Sequence, residues 1–86
     1  MIKLERILKA VANKRRLAIL KYLKIAREAP VGDIAGQIKL SLKATSKHLA
    51  ILDGVDILEK EQRSKQMFYR LAGNQTSLIK HLLSIL

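Results

Sequence analysis

The strongest constraint on the fold comes from residues 40–71, where a helix-forming segment is followed by two strand-forming segments. In residues 42–52 the apolar side chains recur with the period of an α-helix, so they share one face. Ser41 stands just before this segment, and its hydroxyl can accept a hydrogen bond from an amide of the first helical turn. We therefore expect a helix whose inner face comprises Leu42, Thr45, Leu49 and Leu52.

Two short strands are predicted after this helix, over residues 57–62 and 66–71, on either side of a basic turn at 63–65. The helix itself carries small or basic side chains, and no acid, on the side away from its apolar face. A helix of this kind followed by a hairpin with a basic tip is the shape of a winged helix-turn-helix that reads DNA. The side chains on that outer side are Lys43, Ser46, Lys47 and Ala50.

Four further helices are predicted from apolar side chains at helical spacing. Asn13 and Asn74 are the expected caps of the second and the last of all the helices, and Pro30 suits the start of the third. Residues 39–41 then make the turn of a helix-turn-helix. The second helix is apolar most of the way round, which predicts a central position. The predicted spans are residues 2–11, 14–26, 31–38 and 75–86.

These elements predict a mainly α fold with a small β-hairpin, in the order α-α-α-α-β-β-α, as a single winged-helix domain over residues 1–86. Residues 31–53 form the helix-turn-helix of this scheme, and residues 57–71 form the wing. Residues 1–12 and 75–86 are the expected dimerisation helices.

Dimerisation is expected because the last helix carries two neighbouring apolar rows. One row can pack on the domain, and the other then faces water as a patch of the kind that marks an interface. The alternative is that both rows belong to the core. A two-fold homodimer is the commonest assembly, and the first helix can supply the complementary surface. The expected interface residues are Leu4, Ile7, Leu8, Leu78, Ile79, Leu82, Leu83 and Leu86.

The net charge of +10 at pH 7 favours a polyanionic partner, although a small lysine-rich protein can also be basic for solubility alone. The chain has no cysteine, which excludes disulfides and thiolate metal sites. No apolar run approaches the ~18 residues of a membrane span. Charges interleave with apolar residues from Lys3 onward, unlike a signal peptide. We therefore expect a cytoplasmic protein without a membrane partner.

Three segments of the chain resemble the ArsR/SmtB-type winged-helix transcriptional regulators. Residues 8–20 resemble the opening motif L-x-x-L-A-(D/N)-x-x-R-L-x-I-L of that family, and residues 40–52 resemble its turn and recognition helix, L-S-x-x-x-(V/T)-S-x-H-L-x-x-L. Residues 68–71 resemble the x-Y-x-L strand that closes its wing. The resemblance implies a DNA-binding regulator that acts as a dimer.

The chain departs from this family where many members bind metals. Pro30 and Gly32 stand where those members have a Cys-x-Cys element, and His81 on the last helix has no acid near it in the sequence. Thiolates, or converging histidines and carboxylates, are the ligands such sites need, so neither a metal nor another cofactor is expected. Lys39 and Asp56 stand where the family often has glycine.

On the predicted reading helix, Lys43 and Lys47 are candidate contacts to guanine edges or to phosphates in the major groove. Ala44 and Ser46 are small enough to let the helix lie close to DNA, and the Ser46 hydroxyl can also donate. His48 is either a phosphate ligand or a structural residue, and its resemblance to the family histidine leaves both readings open.

Outside that helix, Arg63 and Lys65 at the hairpin tip could reach the minor groove or the backbone, or they form a merely solvated turn. Lys14 and Arg15 lie at a helix start, where the macrodipole disfavours cations, and phosphate neutralisation is one explanation for them. For Arg16 we expect a carboxylate partner within the protein instead.

The sequence thus predicts a sequence-specific DNA-binding transcriptional regulator, a repressor that binds an inverted repeat of double-stranded DNA as a homodimer. The alternatives are a winged helix used as a protein-interaction module and a non-specific architectural DNA-binding protein. No enzyme is expected, because the two histidines are far apart in sequence and no glycine-rich phosphate loop exists.

Overall fold

The computed structural model describes residues 3–86, in which helices predominate over a small antiparallel sheet. This confirms the predicted mainly α fold with a hairpin, although one further strand, β1, was not predicted. Ile2, at the start of the predicted first helix, lies outside the described residues. No helix within residues 3–86 has the length and apolar character that crossing a bilayer requires. The elements are α1 (Leu4–Val11), α2 (Lys14–Ala26), β1 (Glu28–Pro30), α3 (Val31–Ile38), α4 (Leu42–Asp53), β2 (Leu58–Arg63), β3 (Gln66–Leu71) and α5 (Ser77–Ile85).

The spans of α2 and α3 agree with the sequence prediction, and α4 is one residue longer than predicted, ending at Asp53. The predicted caps explain where α2 and α4 begin. The Asn13 side chain accepts hydrogen bonds from the amides of Arg15 at 2.9 Å and Arg16 at 3.1 Å. The Ser41 hydroxyl accepts one from the Ala44 amide at 3.1 Å. Both caps satisfy amides that the first helical turn leaves unpaired.

The start of α5 differs from the prediction, because its cap is Thr76 and not Asn74. The Thr76 hydroxyl accepts a hydrogen bond from the Ile79 amide at 3.3 Å. Gln75 cannot join the helix because its side-chain amide is held by the strand end, donating to the carbonyls of Ile57 at 2.9 Å and Ala72 at 2.7 Å. This long-range bond moves the helix start two residues along the chain.

The sheet has the strand order β1-β3-β2, and both pairings are antiparallel. The predicted first hairpin strand begins at Leu58, one residue late, because the Ile57 amide donates to the Leu52 carbonyl of α4 at 3.2 Å and so cannot complete the ladder. The three-residue strand β1 pairs with residues 68–70 of β3. A strand this short has no periodicity of its own, so residue patterns could not predict it.

The core lies between α2, α3, α4 and the inner face of the sheet. Ile19 and Leu20 of α2 are 0% exposed, as is Ile34 of α3, which confirms the predicted central position of α2. One side of α4 is equally buried, with Leu49 and Leu52 also at 0% exposure. The rotation of α4 about its axis is therefore fixed by the core.

The capping geometry yields a test of stability. Replacing Asn13 with Ala removes the acceptor of two amides, so the free energy of unfolding should fall by about 1 kcal/mol in a urea titration. Asn74→Ala is the matched control, because Asn74 is exposed and caps no helix in this structure. Equal losses in the two variants would contradict the assigned caps.

Candidate nucleic-acid interface

The outer side of α4 is set by the burial of its inner side. Because Thr45, Leu49 and Leu52 are 0% exposed, the side chains half a turn away must face solvent. The structure places Lys43, Ser46 and Lys47 on this exposed side, with Ala44 half-buried at its edge. These four residues, which were predicted to face the groove, therefore lie on one accessible surface of α4. No acidic residue is among them.

The turn before α4 gathers further positive charge. The Arg15 guanidinium reaches from α2 to the end of α3, where its Nη1 donates to the Ile38 carbonyl at 2.8 Å. The next residue, Lys39, is exposed and adopts a left-handed conformation with φ 55°. Lys39 was not among the predicted contacts. Its signal in the sequence was a lysine where the related regulators often have a glycine, which adopts this conformation more easily.

Within residues 3–86, Arg16 has no carboxylate partner, so the prediction of such a partner is wrong. Its Nε donates to the Ala10 carbonyl at 2.5 Å, and its Nη1 lies 3.2 Å from Nδ1 of His48. A guanidinium only donates, so Nδ1 must accept and the ring proton is assigned to Nε2. Among residues 3–86, Nε2 has no protein partner and remains open to solvent. His48 thus connects α4 to α2 and still offers an outward donor.

The charge state of His48 follows from its burial and from the neighbouring arginines. Burial lowers the pKa of His48, and the positive charges of Arg16 and then Arg15 lower this pKa further. The neutral imidazole is therefore the form that the fold favours at neutral pH. Of the two readings left open by the sequence, the structural one now has a partner, and the outward Nε2–H keeps the phosphate-binding one available.

At the wing tip the two predicted cations have different surroundings. Lys65 is exposed, and no carboxylate within residues 3–86 forms a salt bridge with it. Arg63 instead pairs with Glu28, at 2.6 Å from Nη1 to Oε1, and with Glu61, at 3.2 Å from Nε to Oε2. Lys14 is exposed at the start of α2. The structure therefore leaves Lys65 and Lys14 accessible, whereas Arg63 is engaged by acids.

The apolar residues of α1 and α5 divide between the core and the surface. Ile7, 8% exposed, and Ile79, 2% exposed, belong to the core of this chain, so their prediction as interface residues is corrected. They are buried because α1 packs on α2 and α4, α5 packs on α2, and these two side chains lie on the inner sides of their helices. Leu82, Leu83 and Leu86 are half-buried at the edge of the core. The accessible residues of the predicted set are Leu4 at 59%, Leu8 at 47% and Leu78 at 41% exposure, and Ile85, at 69%, adds to them.

Metal-ligating side chains do not converge in the part of the chain that the structure describes. Residues 3–86 contain no group of three His, Cys, Asp or Glu side chains that could hold a metal ion. The chemistry of the site is consequently that of ammonium, imidazole and hydroxyl donors on a helix and a hairpin tip, which suits a polyanion.

Comparison with known proteins identifies the family. Residues 13–60 match the family of bacterial regulatory proteins named after ArsR. The transcriptional activator HlyU of Vibrio cholerae is 35% identical over 77 residues, which are 90% of this chain and 70% of HlyU. The chain belongs to the ArsR family. As an ArsR-family member, it is a DNA-binding transcription regulator and not an enzyme.

Solved structures of related proteins agree with the fold. Reduced HlyU from Vibrio cholerae superposes with a TM-score of 0.80 at 32% identity, over 94% of this chain and 81% of HlyU. A second match is the homodimeric winged helix-turn-helix DNA-binding domain of a possible ArsR-family regulator from Mycobacterium bovis. Its TM-score is 0.80 at 31% identity, over 94% of this chain and 71% of that domain. NolR from Sinorhizobium fredii has a TM-score of 0.79 at 30% identity, over 94% of this chain and 78% of NolR. The winged helix-turn-helix architecture of this ArsR-family protein is thereby confirmed.

The lowered pKa of His48 makes stability depend on pH. Below the ordinary pKa of histidine, about 6.5, the unfolded chain takes up a proton that folded His48 resists. The stability contributed by neutral His48 is thus present above this pH and is lost as the pH falls. We expect the Tm of the wild type to drop more steeply between about pH 7.5 and 5.5 than that of His48→Gln. Parallel profiles would contradict a lowered pKa of His48 in the folded protein.

Proposed function

We propose that this ArsR-family protein is a homodimeric repressor that binds an inverted-repeat operator, with α4 of each protomer in the major groove. The observation that carries the proposal is the surface of α4, where Lys43 and Lys47 are exposed on a helix whose rotation the core fixes. A major groove about 12 Å wide admits one α-helix, and lysine can donate to guanine O6 and N7 or to phosphate.

The residues around α4 support this docking. Ser46 and Ala44 add little bulk, so the helix can approach the base edges closely. Arg15 and Lys39 lie at the turn that leads into α4, where phosphates flank the groove. His48 contributes its outward Nε2–H, and Lys14 lies one position before Arg15 on the same helix. Lys65 at the wing tip contacts the backbone or the adjacent minor groove.

The dimer rests on the apolar side chains that α1 and α5 leave exposed. Leu4, Leu8 and Ile85 are between 47% and 69% exposed, which is unfavourable for a monomer in water. Pairing α1 and α5 with those of a second copy across a two-fold axis buries them. The two α4 helices then meet half-sites about one helical turn apart, ~10 bp centre to centre, or a multiple of that spacing.

Repression follows from operator occupancy, since a dimer that covers a promoter excludes the polymerase by its bulk. The likeness to HlyU, a transcriptional activator, favours activation as the second candidate. In vitro transcription distinguishes the two. A bound operator that overlaps the promoter should reduce transcript yield, and a rise in yield from an operator upstream of the promoter would assign the protein as an activator.

The two alternative functions predict different DNA selections. A protein-interaction module recovers no DNA from a random pool, and an architectural protein recovers fragments without a common sequence. A sequence-specific regulator should enrich one inverted repeat, with an affinity that falls steeply as salt rises because phosphate contacts release counterions. Either of the other two results would refute the proposed function.

The roles of Lys47 and Lys65 can be separated by measurement. Lys47→Ala should weaken operator binding by about 1–3 kcal/mol if the side chain reads a base, and it should relax selectivity at one position. Lys65→Ala should weaken all sequences alike and reduce the slope of log K against log salt by about 1. Both quantities come from fluorescence anisotropy titrations at several salt concentrations. Wild-type affinity in both variants would show that the docking is wrong.

The dimer surface has a matched test within the chain. Leu8→Glu should place a charge in the interface, give a monomer in sedimentation equilibrium at micromolar concentration, and weaken binding to the full inverted repeat. Ile25→Glu is the control, because Ile25 is 75% exposed but lies on α2, away from the proposed interface. A dimeric Leu8→Glu variant, or a monomeric Ile25→Glu variant, would be inconsistent with the proposed surface.

A further inference from the structure

The outer face of the sheet carries five charged side chains that contact one another. Antiparallel register places Glu28, Arg70 and Glu59 side by side on β1, β3 and β2. Arg70 lies 3.7 Å from Glu28 and 3.2 Å from Glu59. Glu61 and Arg63 follow along β2 on the same face, because alternate residues of a strand point to the same side. We call these five residues the wing network.

Arg63 makes more hydrogen bonds than any other member of the wing network. Its Nη1 and Nη2 donate to the two carboxylate oxygens of Glu28 at 2.6 and 3.0 Å, and its Nε and Nη2 donate to Glu61, both at 3.2 Å. The guanidinium also lies 4.6 Å from the centre of the Phe68 ring. A guanidinium has five N–H groups, so these bonds use most of its donors and leave little for a phosphate.

The backbone supports only part of the wing. β1 pairs with residues 68–70 of β3, so the tip half of the hairpin projects beyond the last β1 pair, Pro30 with Phe68. Arg63 is the last residue of β2, at the start of the turn that contains Lys65. Its side chain reaches back across β3 to Glu28, which lies on β1 between α2 and α3. The Arg63–Glu28 pair therefore ties the tip of the wing to the body that carries α4.

We propose that Arg63 and Glu28 are positioning residues, which hold the wing so that Lys65 meets the DNA, and that Arg63 itself does not touch the DNA. This replaces the expectation from the sequence that Arg63 is a DNA contact, and it rests on the proposed function. The pKa of Glu28 is lowered, first by its hydrogen bond to Arg63, so the carboxylate is charged at neutral pH as the pair requires. Arginine suits this role because its planar fork binds a carboxylate bidentately.

The decisive variant is Glu28→Gln, because a net-charge effect and a positioning role predict opposite changes in operator affinity. Removing an acid from a protein that binds DNA should strengthen binding if only net charge matters. If Glu28 positions the wing, operator affinity should instead fall about fivefold, the upper range for an exposed ion pair with good geometry. Glu59→Gln is the matched control, since Glu59 is an ion-paired acid on the same face of the sheet, 3.2 Å from Arg70, but it makes no bond to Arg63. This control should bind as tightly as the wild type, or more tightly.

A double-mutant cycle then tests the route of the effect. Because positioning acts through Lys65, adding Glu28→Gln to Lys65→Ala should cause no further loss. Arg63→Lys provides an independent variant that keeps the charge and loses the fork. Its affinity should fall as in Glu28→Gln, and ¹⁵N relaxation should report greater mobility at Ser64 and Lys65 with the rest of the fold unchanged.

Three results would overturn the proposal: Glu28→Gln binding at least as tightly as the wild type, additive losses in the cycle, or full affinity in Arg63→Lys. These failures differ from a failure of the proposed function. In that case the wild type itself would show no salt-dependent, sequence-selective binding to DNA.

Discussion

The burial of one side of α4 is the constraint on which the rest of the structure depends. Thr45, Leu49 and Leu52 have no exposed surface, and they pack against α2, α3 and the sheet. Because a helix is rigid about its axis, this packing also decides which side chains face outward. The core of the domain and its DNA-facing surface are therefore two consequences of one set of contacts, and a change of register in α4 would disrupt both.

Near the proposed interface, arginines and lysines have different surroundings. Three arginines bond within the protein. Arg15 donates to a backbone carbonyl, Arg16 bonds a backbone carbonyl and an imidazole, and Arg63 pairs with two carboxylates. Lys43 and Lys65 are left at the surface. A planar guanidinium makes several directed bonds at once, whereas an ammonium is a compact charge on a flexible stem that can follow a phosphate. Arg16 and Arg63 thus build the frame that presents the lysines, and Arg15 joins this frame by one bond at the turn where we propose that phosphates lie.

Several features followed from local pattern alone. The bounds of α2 and α3 follow from apolar spacing and from the Asn13 cap, because both signals lie within one or two helical turns. The turn and most of the exposed side of α4 were predicted in the same way, although Leu42, expected on the inner face, is 59% exposed. The left-handed conformation of Asp56, φ 60°, agrees with its place where related regulators often have glycine. The sequence also carried the family motifs in order and at the right spacing.

The sequence by itself determined the helices, the hairpin and the charge that a DNA-binding domain needs, since these depend on neighbours along the chain. Only the tertiary structure decided which partners distant side chains take. Glu28 meets Arg63, and Arg16 meets His48, across separations of 35 and 32 residues. β1 exists because β3 offers it an edge, and Ile79 is buried while Leu78 is not because α5 docks with one side inward. Periodicity identifies an apolar row, but packing alone determines whether that row meets its own core or a second copy.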